Sequence, residues 1–217
     1  RKDFYDRLAQ TIAIDGITSI ERDTAFDETR QYRSAGIRLT YASINGSIEG
    51  LKDGVLLEVG FDDVAPNEAR DISSWAYDFA ASRVEIIDNR AKGVACYHPG
   101  HTLVEKLQAI STKFRQQQET GTFPPNFMRH YYDVYSLLQD PTVQAFVGTR
   151  GYLDHKAKRF PKADNPVIIE NEAFILSDPA TRATLQKAYA ASSALYFRGQ
   201  PAFDDILTEI AKWAPNL

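Results

Sequence analysis

The strongest constraint on the fold is a change of hydrophobic period close to His98-Pro99. Upstream of it, "TSIERD", "AGIRLTYAS", "GVLLEVGF", "ISSWAYDFA" and "GVACYH" are short runs rich in Ile, Val, Tyr and Trp, side chains that suit a pleated surface. Turn signals at Asn45-Gly46 with Gly50, at Asp53-Gly54 and at Pro66-Asn67 separate them. From Thr102 onward, "TLVEKLQAISTKFRQQ", "NFMRHYYDVYSLLQ", "TVQAFVG", "DPATRATLQKAYAASSALYF" and "PAFDDILTEIAKWA" carry apolar residues at helical spacing. Pro124-Pro125, Asp140-Pro141, Asp178-Pro179 and Gly199 punctuate these helices. One helix precedes the strands, with Phe4, Leu8 and Ile12 recurring every fourth residue in "RKDFYDRLAQTIA". Strands followed by a block of helices predict an α+β fold, with residues 1–98 a β-rich subdomain and 99–217 a helical one.

Composition narrows the class. Of 217 residues, 43% are hydrophobic and 25% charged, as in a globular chain and unlike a disordered one. A net charge of -4 gives no overall attraction to nucleic acid or anionic membrane, so a polyanion site would need a local patch. Cys96 is the only cysteine, which excludes an internal disulfide and a cysteine-ligated zinc site and fits a reducing compartment. No apolar run approaches about 20 residues, so a soluble, cytoplasmic protein with no membrane partner is expected. The chain begins at Arg1, directly in a helical pattern, and Met128 is its only methionine. It reads as a piece of a longer protein, ordinary terminal processing being the alternative.

Several residues invite a chemical reading beside a bland one. In "GVLLEVGFDD", Val55, Leu57, Val59 and Phe61 share one face of a strand, and Leu56, Glu58, Gly60 and Asp62 the other. Glu58 is either a solvent-facing carboxylate or a divalent-metal ligand, and one carboxylate is not a site. "HTLVEKLQAI" fits a capping box in which Thr102 caps the helix and Glu105 reaches back. Lys106, at the shoulder of the stripe Leu103, Leu107, Ile110 and Phe114, either snorkels to water or holds its ammonium over a cleft. In "MRHYYDVYSLL", Met128, Tyr131, Tyr132, Tyr135 and Leu138 form an apolar stripe, while Arg129, His130, Asp133 and Ser136 lie opposite, with Leu137 among them. Arg129 and Asp133 are an i,i+4 ion pair or a carboxylate base oriented by a cation. Cys96, His98 and His101, with His155 recruited, are a weak transition-metal candidate. "RGYLDHKAKRFPK" gathers Arg150, His155, Lys156, Lys158, Arg159 and Lys162 as a solvated face or as phosphate contacts. "INGSIEG" looks like a phosphate loop only superficially, and its Asn45-Gly46 is better read as a hairpin turn.

Taken in order, the strand "VLLEVGF", the helix "HTLVEKLQAI" and the helix "RHYYDVYSLL" resemble the AbiEii/AbiGii toxin family of nucleotidyltransferases, toxins of abortive-infection toxin–antitoxin systems. The second matches that family's Thr-Leu-x-Glu-Lys-Leu helix and the third its Arg-Asp-x-Tyr-Asp-Leu helix. "HKAKRF" and "YFRGQPAFDDILTEIAKW" are similar to its C-terminal helices. The resemblance implies a partial nucleotidyltransferase-like sheet followed by a C-terminal helical bundle. It implies Mg²⁺-dependent transfer of a nucleotide from a nucleoside triphosphate (NTP) to an acceptor such as tRNA or protein, and a cognate antitoxin. Glu58 falls at the position of a metal carboxylate, Lys106 at a lysine that neutralises phosphate, and Asp133 at a catalytic aspartate. Arg129, Lys156 and Lys158 become candidates for nucleotide contacts. His130 stands where the family has an aspartate, and no Gly-Ser turn followed by Asp-x-Asp occurs in these 217 residues. This chain alone is therefore expected to be inactive and to bind neither Mg²⁺ nor NTP tightly. The rival reading is a non-catalytic module that docks an antitoxin or nucleic acid. A metal-dependent phosphohydrolase is more distant, for want of paired His-Asp ligands.

Overall fold

The computed structural model describes residues 1–44, 46, 52–62, 64–196 and 199–217. The Asn45-Gly46 turn with Gly50, the "INGSIEG" loop, Asp63, and Phe197-Arg198 of the tail segment lie, wholly or in part, outside the described residues. The chain packs as two compact units, residues 1–64 and 65–217.

The first unit opens with helix α1 (Lys2–Thr11) and continues with strands β1 (Ile17–Asp23), β2 (Ser34–Tyr41) and β3 (Val55–Gly60). They form an antiparallel sheet in the order β1-β2-β3. Among the described residues only β2 of this sheet has a neighbour on each side, and its Ala35, Ile37 and Leu39 are buried. Tyr5 of α1 is fully buried and donates its hydroxyl to the Tyr32 carbonyl at 3.1 Å. Polar residues of β1 are held by charge: Arg22 pairs with Asp6 and Asp27, and Asp23 with Arg38 at 2.8 Å. Gly54 enters β3 at φ +87°, where any Cβ would collide with the Leu39 carbonyl, so the tight approach to β2 requires glycine.

The second unit begins with strand β4 (Asn67–Ile72), helix α2 (Trp75–Ala81) and strand β5 (Ala91–Tyr97), β4 and β5 pairing as an antiparallel ribbon. Here the structure corrects the sequence reading: "ISSWAYDFA" is not a strand. Only Ile72 belongs to β4, and the rest turns into α2, whose first turn is capped by Ser74 accepting from the Tyr77 amide at 3.1 Å. The change at His98-Pro99 holds as a change of backbone type, but by packing the ribbon groups with the helices.

Helices α3 (Pro99–Thr120), α4 (Phe127–Leu138), α5 (Pro141–Phe146), α6 (Arg150–Arg159), α7 (Glu172–Ile175), α8 (Pro179–Ala190) and α9 (Phe203–Trp213) follow. Their core joins Leu103, Leu107 and Ile110 of α3 to Tyr131, Val134 and Leu138 of α4 and to Ile206 and Ile210 of α9. The expected stripe of α4 is thus buried through Met128, Tyr131 and Leu138, with Tyr132, Tyr135 and also Leu137 half-buried at its edges. The capping box is not formed. Pro99 occupies the first helical position, His98 caps it by accepting from the Gly100 amide at 3.1 Å, and Thr102 lies inside the first turns. Gly100 sits so close to the Phe146 ring that a Cβ there would overlap it, which fixes α5 against the start of α3. The outcome is α+β, with the helices largely after the strands.

Candidate functional site

Helices α3 and α4 are joined by the short connection 121–126 and pack side by side, which brings two residues 27 positions apart in sequence into contact (133 − 106 = 27). Lys106 Nζ lies 2.9 Å from Asp133 Oδ2. The ring of His130, one turn before Asp133, completes the group, its Nδ1 3.5 Å from Lys106 Nζ and 3.7 Å from Asp133 Oδ2. The lysine and the aspartate are each about one-third exposed (31% and 35%), so a ligand can reach both. Burial opposes ionisation of Asp133, but hydrogen bonds from His130 and Lys106 and their charges outweigh it, and the carboxyl stays below its ordinary range. The site is therefore an ammonium–carboxylate contact in which the ionised form of Asp133 is favoured.

Two turns along α3, Lys113 donates to the Pro125 carbonyl just before α4. Burial, then the charge of Lys106, lowers its affinity for a proton. Lys113 escaped the sequence reading, although its i+7 spacing from Lys106 puts both lysines on one face of the helix. Arg129 does not orient Asp133. It is exposed and directs Nη1 to Asn126 Oδ1 at 3.4 Å, so the expected i,i+4 ion pair is replaced by the contact across to Lys106.

Glu105 has a different task from the one read in the sequence. Facing α6 and β5, it accepts from Tyr97 Oη at 3.0 Å, pairs with Arg159 at 2.8 Å and lies 3.6 Å from His155 Nε2. His155 in turn stacks on His101, with ring centroids 4.2 Å apart. Burial lowers the pKa of His155, against the pull of Glu105, and takes His101 down to about 4. Lys156 lies half-buried over the Tyr152 and Phe160 rings at 5.7 and 6.0 Å, and burial lowers its pKa, while Lys158 is exposed.

The transition-metal candidate is not supported: His98 caps α3 and His101 is stacked in the helical unit. Among the described residues no group of three or more His, Cys, Asp or Glu side chains is placed to hold a metal ion. Glu58 stands in the middle of β3 opposite Gly36, exposed and without an ion pair among the described residues. A lone carboxylate does not constitute a Mg²⁺ site. No helix among the described residues is long and apolar enough to cross a membrane.

Comparisons with curated proteins and with solved structures returned no match. A family model does match, over residues 1–209, and its description is "Nucleotidyl transferase AbiEii toxin, Type IV TA system". The match spans both compact units and includes the helices that carry Lys106 and Asp133. This chain belongs to the AbiEii family of nucleotidyl transferase toxins of type IV toxin–antitoxin systems.

Proposed function

We propose that the Lys106–His130–Asp133 group is the part of a nucleotidyl-transfer site that the helical unit contributes. The observation that carries this reading is the 2.9 Å contact between Lys106 and Asp133, one residue from each of two separate family-like helices. In the reaction, an acceptor hydroxyl oxygen bonds to the α-phosphorus of an NTP. The bond from that phosphorus to the oxygen bridging to the β-phosphate breaks, and pyrophosphate leaves. Lys106 places an ammonium against the charge that spreads over the phosphate oxygens, and Asp133 holds Lys106 in place and accepts the hydroxyl proton. Catalysis of this kind is mostly positioning and charge stabilisation, which a preformed ion pair supplies without reorganisation.

The acceptor in this reading is RNA, tRNA above all, in the cytoplasm, with a protein side chain as the other acceptor class. The basic run of α6 favours RNA, although Lys156 also spends its side chain on two aromatic rings, leaving Lys158 as its most accessible lysine. These 217 residues on their own are inactive in this reading, because they hold no Asp-x-Asp motif and the described residues assemble no metal-binding group. The test is a labelled-nucleotide assay on the complete native polypeptide with Mg²⁺, each of the four NTPs, and tRNA or protein acceptors. Labelled product that disappears in Lys106→Ala and Asp133→Ala is expected. Product formation undiminished in both variants would remove the site assignment, and product from the 217-residue chain alone would remove the inactivity.

A further inference from the structure

One cavity in the helical unit lies beside this site, and its lining has the chemistry of a heterocycle-binding pocket. It measures about 240 Å³ and is lined by Phe123, Asn126 and Arg129 at the foot of α4 together with the apolar Pro124, Met128 and Leu195. We infer that it receives the base of the donor nucleotide whose phosphates meet Lys106, an inference that rests on the transfer reading above.

Three observations converge on a base. The cavity has one accessible aromatic wall, the half-buried Phe123 ring, backed at 6.2 Å by the buried Phe127 ring. Aromatic rings bind heterocycles by stacking, with little dependence on sequence, while amides and hydroxyls read their edges. The second observation is an amide that the fold does not use. Asn126 stands at the N-cap of α4, where its side chain would ordinarily accept from a backbone amide of the first turn, and it makes no such bond. Its backbone is instead left-handed, at φ +59°, and among the described residues its Oδ1 takes only the long 3.4 Å contact from Arg129. An asparagine amide, with two donors and an acceptor, can pair with the edge of any base. Third, Arg129 is an exposed planar cation at the mouth, suited to stack on a base or to pair with phosphate.

The position also fits. Arg129 lines the cavity and Asp133 is the next turn of the same helix face, so about 6 Å of rise separates them. On α3, Lys113 bonds the Pro125 carbonyl beside Asn126, and Lys106 is seven residues, about 10 Å, away. The cavity and the ion pair thus lie about one helical turn apart along α4, through Arg129 and Asp133.

The experiment uses nucleosides, which carry no phosphate, so that the cavity is read separately from Lys106 and Asp133. Backbone amide spectra of the 217-residue chain are followed while adenosine, guanosine, cytidine, uridine or ribose is added. Saturable shifts confined to residues 123–129 and the neighbourhood of Leu195 are expected with at least one nucleoside and not with ribose. Asn126→Gly removes the amide and keeps, at lower strain, the left-handed backbone, so it should fold with unchanged or raised stability and bind about tenfold more weakly. Lys106→Ala should leave nucleoside binding unchanged, so that failure of the transfer reading and failure of this one are told apart. Absence of shifts with all four nucleosides, or Asn126→Gly binding like the parent, overturns the inference. In competition, displacement by single-stranded RNA but not by any NTP would assign the pocket to the acceptor and overturn the donor assignment.

Discussion

Replacing His101 with phenylalanine isolates one proton and gives a quantitative check on how the start of α3 is packed. His101 is 8% exposed, stacked on His155 and set edge-on to Phe146 at 4.9 Å, and its Nδ1 has no hydrogen-bond partner among the described residues. Burial first, then the positive potential of His155, His98 and Arg159, holds its pKa at about 4. The unfolded chain protonates the same ring near the ordinary value of about 6.5. Between those values the unfolded form binds more protons, so stability is intact above about pH 6.5 and is lost as the pH falls toward 4. The gap of about 2.5 pH units, at about 1.4 kcal/mol each, sets a ceiling of about 3.5 kcal/mol. Phenylalanine keeps a ring in the stack and cannot take up the proton. Urea unfolding of the parent and of His101→Phe, repeated from about pH 7.5 to pH 4.5, gives the stability difference as a function of pH. Carboxylates and His155 titrate in both proteins and largely cancel. The parent should lose about 2.5 kcal/mol relative to the variant by about pH 4.5, with little difference in slope above about pH 7. Parallel curves across the whole range would refute the buried, neutral imidazole.

Other substitutions test neighbouring contacts. Lys106→Ala should abolish transfer by the complete polypeptide while shifting urea stability by less than about 1 kcal/mol, because the pair is one-third exposed. Gly100→Ala forces a methyl group into the Phe146 ring and should destabilise by about 1–3 kcal/mol in thermal unfolding. Tyr131→Phe removes the buried 2.6 Å bond to the Ala173 carbonyl, and chemical denaturation should show a loss of about 1–2 kcal/mol. Ser74→Ala should weaken α2 by about 1 kcal/mol, seen as faster amide exchange confined to residues 75–81.

The long helices were legible because packing requires the pattern that reveals them. The stripes of α3, α4 and α9 are buried, so the 3.6-residue period has a physical cause. Helix α2 has no buried residue, and the alternation Trp75, Tyr77, Phe79 mimics a strand. A local device, the Ser74 cap, decides the backbone there instead of burial. Strand β4 was missed for the converse reason: "NEARDI" is polar and fully exposed, and is a strand only because β5 pairs with it. The start of α3 differs because Thr102 and Glu105 imitate a capping box, whereas the rigid φ of Pro99 sets the first turn four residues earlier. Asp133 and Lys106 could be named by resemblance, but their contact depends on the register of two packed helices, which spacing within either helix does not contain.

The adjacent residues Glu105 and Lys106 explain why one short helix segment carries so much of this family's pattern. Successive residues on a helix point about 100° apart, so a Glu-Lys pair faces two neighbours at once. Glu105 turns toward α6 and β5, binding Arg159 and Tyr97, and Lys106 turns toward α4, meeting Asp133 and His130. The carboxylate thereby anchors α3 on one side with charge-assisted bonds, and the ammonium on the other side is presented from a helix that cannot rotate about its axis. That division of labour separates the two residues functionally. Glu105→Gln should loosen α6, raise exchange of its amides and reduce stability by about 1–2 kcal/mol, with Lys106 still beside Asp133. If Glu105→Gln instead left α6 protected and removed only phosphate binding, the glutamate would belong to the reacting site and not to its support.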